Sequence, residues 1–206
     1  MMNVPYFAQW ESRDLVADFL TGKLDSAEDP LWALSGAETP EEYAFWSPNV
    51  CGMACLKMHL AHTKGQVFPT LELMKECKEY GGYKVDDAKE VSGLYYHPFV
   101  SYVKDKFGLS AEVKENISVN EMCDLVEEGH VFIASVHPSI RTPDTIPPKK
   151  GGHLVYVFAK DPRDKKIIFH NPSGNTPASQ ENVSLDLEVF NRYYAQRGIL
   201  IRLESE

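Results

Sequence analysis

A cysteine at the start of a helix, a histidine opening a strand and an asparagine closing another could supply a nucleophile, a base and an orienting group. Here they are Cys51 in Asn49-Val50-Cys51-Gly52-Met53-Ala54-Cys55-Leu56-Lys57-Met58, His153 after Gly151-Gly152, and Asn171 in Ile167-Ile168-Phe169-His170-Asn171-Pro172. Acyl transfer by cysteine requires a thiolate to attack a carbonyl, a histidine to pair with it and later protonate the leaving amine, and a third group to hold the imidazole. The unpaired amides and positive dipole end of a helix start favour thiolate, so the pKa of Cys51 is expected to fall. The reaction also requires an oxyanion hole, usually the nucleophile's own N–H plus a side-chain amide. Gln9 is the candidate for that amide, with Asn49 nearer in sequence.

Two other readings of these residues compete. His170 stands next to Asn171, and adjacent strand residues point to opposite faces, so only one of them can face the site. Asn171 is taken because it ends the strand before Pro172, which leaves His170 to be satisfied at the surface. Cys51, Cys55, His59 and His62 follow spacings of 4, 4 and 3 along one helical stripe, suggesting a metal site. At about 1.5 Å rise per residue the stripe extends over roughly 16 Å, too far for ligands that must lie within about 2.3 Å of one zinc. Cys55 is instead read as a small buried apolar residue, and no metal or cofactor is expected.

The elements that must position these groups change period along the chain. Val4–Gln9 reads as a short strand or extended arm and Leu15–Leu20 as a helical turn or two. Thr39-Pro40-Glu41-Glu42 opens a surface helix with an N-cap, a proline at the first helical position and a capping glutamate. Cys51–His62, stopped by Gly65, has the apolar spacing of a well-buried central helix. Further helices are expected at Thr70–Tyr80, at Tyr95–Phe107 with its true start at His97-Pro98, and from the capping box Ser118-Val119-Asn120-Glu121 to Gly129. Then come strand-length apolar runs at Val131–Val136, Leu154–Ala159, Lys166–Phe169 and Gly198–Leu203, with a helix at Ser184–Tyr194 before the last. Helices first and strands later argue for an α+β domain with an antiparallel sheet. A turn at Asp161-Pro162-Arg163-Asp164 makes two of the strands a hairpin and brings Asn171 to His153. The proline-rich loop His137–Gly152 leads into the histidine strand, and it reads equally as a wall or lid over a substrate groove and as a solvated connector.

Bulk properties narrow the function. The 206 residues fit a single domain over residues 1–206, with a variable arm or insertion at about residues 15–47. A net charge of -9 argues against nucleic acid or an anionic membrane as partner. No apolar run approaches the roughly 20 residues of a membrane span, and Met1–Asp14 lacks the basic and apolar regions of a secretory signal. Four cysteines without paired close spacings read as free thiols. A cytoplasmic location follows as the expectation, and the sequons at Asn116 and Asn182 are then chance matches.

Cys51-Gly52-Met53-Ala54-Cys55-Leu56-Lys57-Met58 resembles the nucleophile motif of the bacteriocin-processing double-glycine leader peptidases. Val4-Pro5-Tyr6-Phe7-Ala8-Gln9-Trp10 and Gly151-Gly152-His153-Leu154-Val155-Tyr156-Val157 are similar to stand-alone, peptidase-like relatives of that family. The resemblance implies a papain-like fold, with the nucleophile helix of a helical first half packed on the late sheet. It also implies Cys51 as nucleophile, His153 as general base and acid, Asn171 as orienting residue and Gln9 as oxyanion-hole amide. Three departures stand out. The leader peptidases carry a glutamine upstream of the cysteine where Phe45 stands here, generally an aspartate where Asn171 stands, and often an aspartate where Val50 stands. The expected activity is hydrolysis of a peptide or isopeptide bond through a thioester. The alternatives are transglutaminase-like acyl transfer on the same triad and a catalytically silent binding module.

Overall fold

The computed structural model describes residues 3–161 and 163–203. In chain order its helices are α1 (Val16–Thr21), α2 (Pro40–Trp46), α3 (Cys51–Lys64), α4 (Thr70–Glu79), α5 (Tyr96–Phe107), α6 (Val119–Glu127), α7 (Pro177–Gln180) and α8 (Leu187–Tyr193). The strands are β1 (Tyr83–Val85), β2 (Val91–Gly93), β3 (Ser110–Glu115), β4 (Val131–Val136), β5 (His153–Asp161), β6 (Lys166–His170), β7 (Val183–Asp186) and β8 (Tyr194–Arg202). β1 and β2 form a small hairpin, and the other six make one antiparallel sheet in the order β3-β8-β4-β5-β6-β7. The chain is α+β, helices first and the antiparallel sheet late, as the change of period predicts.

Helix α3 is central because it is apolar on nearly every side. Residues Gly52–Leu60 are all buried, including Lys57 and His59, and Gly65 ends the helix at φ 64. A helix without a polar stripe cannot lie at the surface. It is covered on one side by the arm and by α4, and on the other by β5. Alternation in the sheet then sorts the side chains: Ile133, Leu154, Tyr156 and Ile199 join the α3 core, whereas Phe132, Val155, Phe169 and Leu200 face α6 and α8.

Of the two forms expected for Val4–Gln9, the extended arm is the one present, paired with no strand. Other elements differ from the sequence reading. Helix α2 lies at the surface with Glu41 exposed, but its inner face is buried through Tyr43 and Trp46, and the Tyr43 hydroxyl donates to Asp29 at 2.5 Å. The Asp29 carboxylate also accepts from the Ser12 hydroxyl at 2.5 Å, which ties this region to the end of the arm. Helix α5 begins at Tyr96, with Pro98 in its first turn, where a missing N–H leaves no hydrogen bond unmade. The expected helix at Ser184–Tyr194 divides into β7 and α8. Strand β8 starts at Tyr194 rather than Gly198, extending the ladder through the polar residues Gln196 and Arg197. Strands β5 and β6 pair antiparallel up to Asp161 and Lys166; Pro162 of the expected turn lies outside the described residues.

Candidate active site

Cys51 begins α3 directly after Val50, which supplies no side-chain cap, so the amides of the first turn remain free. The helix start rests on the opening of β5, and Gly52 permits the approach. A Cβ on residue 52 would stand 2.7 Å from Leu94 Cδ2 and 3.0 Å from Leu154 Cδ1. The Leu154 amide faces the Cys51 sulfur together with those of Gly52 and Cys51 itself. One turn on, the buried Cys55 thiol lies 3.9 Å from the Leu154 carbonyl oxygen. His153, the residue before Leu154, therefore stands beside the nucleophile helix. Cys51 and His153 line the same cleft, Cys51 partly exposed and His153 buried.

The far side of the imidazole is held by polar groups at the end of β6. His153 Nε2 donates to Asn171 Oδ1 at 2.8 Å and also lies 2.9 Å from Ser173 Oγ. Since the amide oxygen only accepts, the Nε2–H tautomer is the one present and Nδ1 keeps its lone pair. Ser173 is in turn gripped by Arg141, whose Nε donates to the Ser173 carbonyl at 2.7 Å and whose Nη2 donates to Oγ at 2.8 Å. Arg141 comes from the proline-rich loop, and it lines the cleft with Pro138, Gly152, Cys51 and His153. One wall of the groove is thus this loop.

His170 takes the opposite face from Asn171, but it is buried rather than satisfied at the surface. Its Nε2 donates to the Val4 carbonyl at 3.0 Å and its Nδ1 accepts from the Asn182 amide at 3.0 Å. That bond is the first of three that lay the arm along the end of β6. The Tyr6 hydroxyl donates to the Asn171 carbonyl at 3.0 Å, and the Gln9 amide donates to the Pro172 carbonyl at 2.9 Å. Beyond it, the Glu11 carboxylate receives two 3.1 Å bonds from the buried Lys57 ammonium of α3. The arm is clamped at both ends, and this is how Gln9 comes to line the same cleft as Cys51 from so distant a segment. Gln9 lines the cleft with Cys51 and His153; its Nε2 donates to the Ser47 carbonyl at 2.8 Å, which occupies one of its two hydrogens. Asn49 lines the same cleft but donates its Nδ2 to the Phe45 carbonyl at 3.2 Å.

The electrostatics correct the sequence expectation for the thiol. The Leu154, Gly52 and Cys51 amides and the Arg141 charge lower the Cys51 pKa, but burial raises it by more and the net direction is upward. Burial likewise pushes His153 down to about 3, Arg141 adding to the fall and the Asn171 hydrogen bond opposing it. Both shifts favour the neutral forms, thiol and imidazole, over a preformed ion pair. A helix start activates a thiol only as far as desolvation lets it. The rest of the stripe disperses: His59 Nδ1 meets the Tyr156 hydroxyl at 3.0 Å and His62 Nδ1 the Asn3 carbonyl at 3.2 Å. Among the described residues no three His, Cys, Asp or Glu side chains converge as metal ligands, and no helix is long and apolar enough to cross a membrane. Ser173 and Arg141 escaped the sequence reading because neither sits in a motif and both act through partners distant in the chain.

The Peptidase_C39 like family matches the chain over residues 1–200. Among solved structures, the chain is similar to the peptidase domain of Streptococcus ComA, a bi-functional ABC transporter involved in a quorum sensing pathway. That likeness has 18% identity and a TM-score of 0.52, and covers 76% of this chain and 93% of that one. A putative C39-like peptidase from Bacillus anthracis is similar at 16% identity and a TM-score of 0.53, over 76% of this chain and 90% of that one. At these identities the two likenesses show the fold. No curated protein matches the sequence significantly.

Proposed function

We propose that this chain, which belongs to the Peptidase_C39 like family, hydrolyses a peptide or isopeptide bond through a thioester on Cys51. Family and fold support a cysteine peptidase in general; the assignment of roles is our reading of the site. The observation that carries it is the 2.8 Å bond from His153 Nε2 to Asn171 Oδ1 inside a cleft shared with Cys51. It fixes the tautomer that leaves Nδ1 free to accept the thiol proton.

In this reading His153 Nδ1 takes the Cys51 proton as the sulfur bonds to the substrate carbonyl carbon, so no ion pair need exist beforehand. The oxyanion is received by the Cys51 amide and the second Nε2 hydrogen of Gln9, with the Arg141 charge nearby. Collapse expels the amine, which takes the proton from the imidazolium and leaves the thioester. Water then adds with His153 again as base, and the acid departs while the proton returns to sulfur. Asn171 and Ser173 hold the ring throughout.

Incubation with a defined peptide pool, read by mass spectrometry, tests the proposal. Cleavage by the wild type that disappears in both Cys51→Ala and His153→Ala is expected, with hydroxamate products appearing when hydroxylamine is added to intercept the thioester. Cleavage that survives Cys51→Ala would refute it. Products joined to added amines with no hydrolysis would favour acyl transfer instead.

A further inference from the structure

Two apolar rows of the sheet turn polar where they reach the nucleophile. On β4 the row Val131, Ile133 continues to Ser135, and on β8 the row Ile201, Ile199 continues to Arg197. A core row ends in a hydroxyl and a guanidinium only where something other than core meets it. The two residues line a cleft of about 350 Å³ with Tyr96, Gly152, Cys51 and His153, on a different side of the nucleophile from Gln9. The Tyr96 hydroxyl stands against Ser135 and Arg197, both of which oppose the rise that burial imposes on its pKa.

Gly151 keeps this space open. Its φ is +83, and a Cβ there would stand 3.1 Å from Ser135 Oγ and 3.3 Å from Arg197 Nη2. The charge of Arg197 is also unspent. On the same ladder Arg202 and Lys114 both pair with Glu112, whereas Arg197 forms an ion pair with no carboxylate among the described residues. Glu115, opposite it in register, lines the same cleft but is exposed and forms no ion pair with it. The net charge of -9 repels anions at long range, so it is this local guanidinium, without an ion-pair partner in the cleft it shares with Cys51, that can hold one.

We propose that this pocket receives a carboxylate of the substrate, paired with the Arg197 guanidinium and hydrogen-bonded by the Ser135 and Tyr96 hydroxyls. The inference rests on the peptidase reading. The enzyme then selects peptides with an acidic side chain, or a free C-terminal carboxylate, next to the scissile bond. The planar fork of arginine suits a carboxylate, and a hydrogen bond to an ionised partner is about twice as strong as a neutral one.

The test uses binding, so that it does not depend on turnover. Hexapeptides paired as Glu against Gln at each position, and as free acid against C-terminal amide, are titrated calorimetrically into the Cys51→Ala protein. At one position the Glu peptide should bind about tenfold tighter than its Gln partner, a factor of ten being about 1.4 kcal/mol. If the ligand is instead the chain terminus, the free acid should beat the amide by a similar factor. The preference should vanish when Arg197→Gln is added and shrink with Tyr96→Phe, while neutral peptides bind each variant alike. Arg197 is exposed, so its replacement should leave the urea midpoint unchanged. A set without any such preference, a preference that survives Arg197→Gln, or no binding at all overturns the inference. Wild-type cleavage without acidic preference would sink the pocket alone, and an anion preference without cleavage would sink the nucleophile assignment alone.

Discussion

Acid should destabilise this protein before most of its carboxylates titrate, because two histidines are buried in the neutral form. His153 is held at about 3, mainly by burial, and His59, wholly buried, at about 4 for the same reason, with the charges of His62 and Lys64 adding. Both folded values lie below the 6.5 of an unfolded histidine, so as pH falls through 6.5 the unfolded chain takes up protons that the folded one refuses. Stability is therefore full above about pH 7 and is lost on the way down. Between pH 7 and 4.5 each histidine costs about 2.5 kcal/mol, together on the order of 5 kcal/mol. That matches the lower end of the total stability of a typical domain, about 5 kcal/mol. His170 is shifted down by burial too and adds in the same direction. Urea unfolding followed by tryptophan fluorescence at pH 7, 6, 5 and 4.5 reads the effect. Near pH 5 the slope from these two histidines should approach two protons, about 2.7 kcal/mol per pH unit, and His59→Gln should remove about one of them. Stability that stays flat from pH 7 to 4.5, or a slope indifferent to His59→Gln, would refute the reasoning.

Two further outcomes follow from the site's supports. Asn171→Ala leaves His153 Nε2 with Ser173 Oγ at 2.9 Å as its remaining partner, so labelling of Cys51 by a peptide vinyl sulfone should slow about tenfold rather than stop. The double variant with Ser173→Ala should lose more than the sum of the single losses, and strict additivity in ln k would show that the serine is no substitute. The Lys57–Glu11 pair has side chains only 4% and 10% exposed, so Glu11→Ala strands a buried ammonium and should cost about 3 to 5 kcal/mol in urea unfolding. Replacing both partners by apolar residues, Glu11→Leu with Lys57→Met, should recover most of that, and an equal loss in the double variant would contradict the clamp.

What was legible in the sequence had local causes. The Ser118 capping box forms as its spacing requires, the Ser118 hydroxyl accepting from the Glu121 amide at 3.2 Å and the Glu121 carboxylate from the Ser118 amide at 2.9 Å. Gly65 and Gly108 end α3 and α5 in the left-handed conformation glycine favours. The run Val131–Val136, apolar but for Ser135, has the length and composition of an inner strand, and its place after the helices pointed to the α+β class. The strands that were missed are marginal ones. β3 offers the core only a half-buried Ala111 among charges, and β7 has one buried residue, Val183. Such edges are strands because a neighbour completes their hydrogen bonds, and periodicity does not record a neighbour.

The site divides along the same line. Cys51, His153 and Asn171 were singled out because each sits at the end of an element whose type the sequence betrays, and Gln9 through the family resemblance of the Val4–Trp10 block. Arg141, Ser173 and Arg197 acquire meaning only from what stands beside them in space. The expectation for the thiol differed for a related reason: the free amides of a helix start are local, whereas the desolvation that outweighs them is imposed by the fold around it.

The most direct measurement is the site and rate of adduct formation by a peptide vinyl sulfone, followed by intact mass and peptide mapping in the wild type and in His153→Ala. A single adduct on Cys51, slowed at least about a hundredfold by loss of the imidazole, is the predicted result. Modification spread over the other cysteines, or a Cys51 rate indifferent to residue 153, would contradict the pairing on which the account stands.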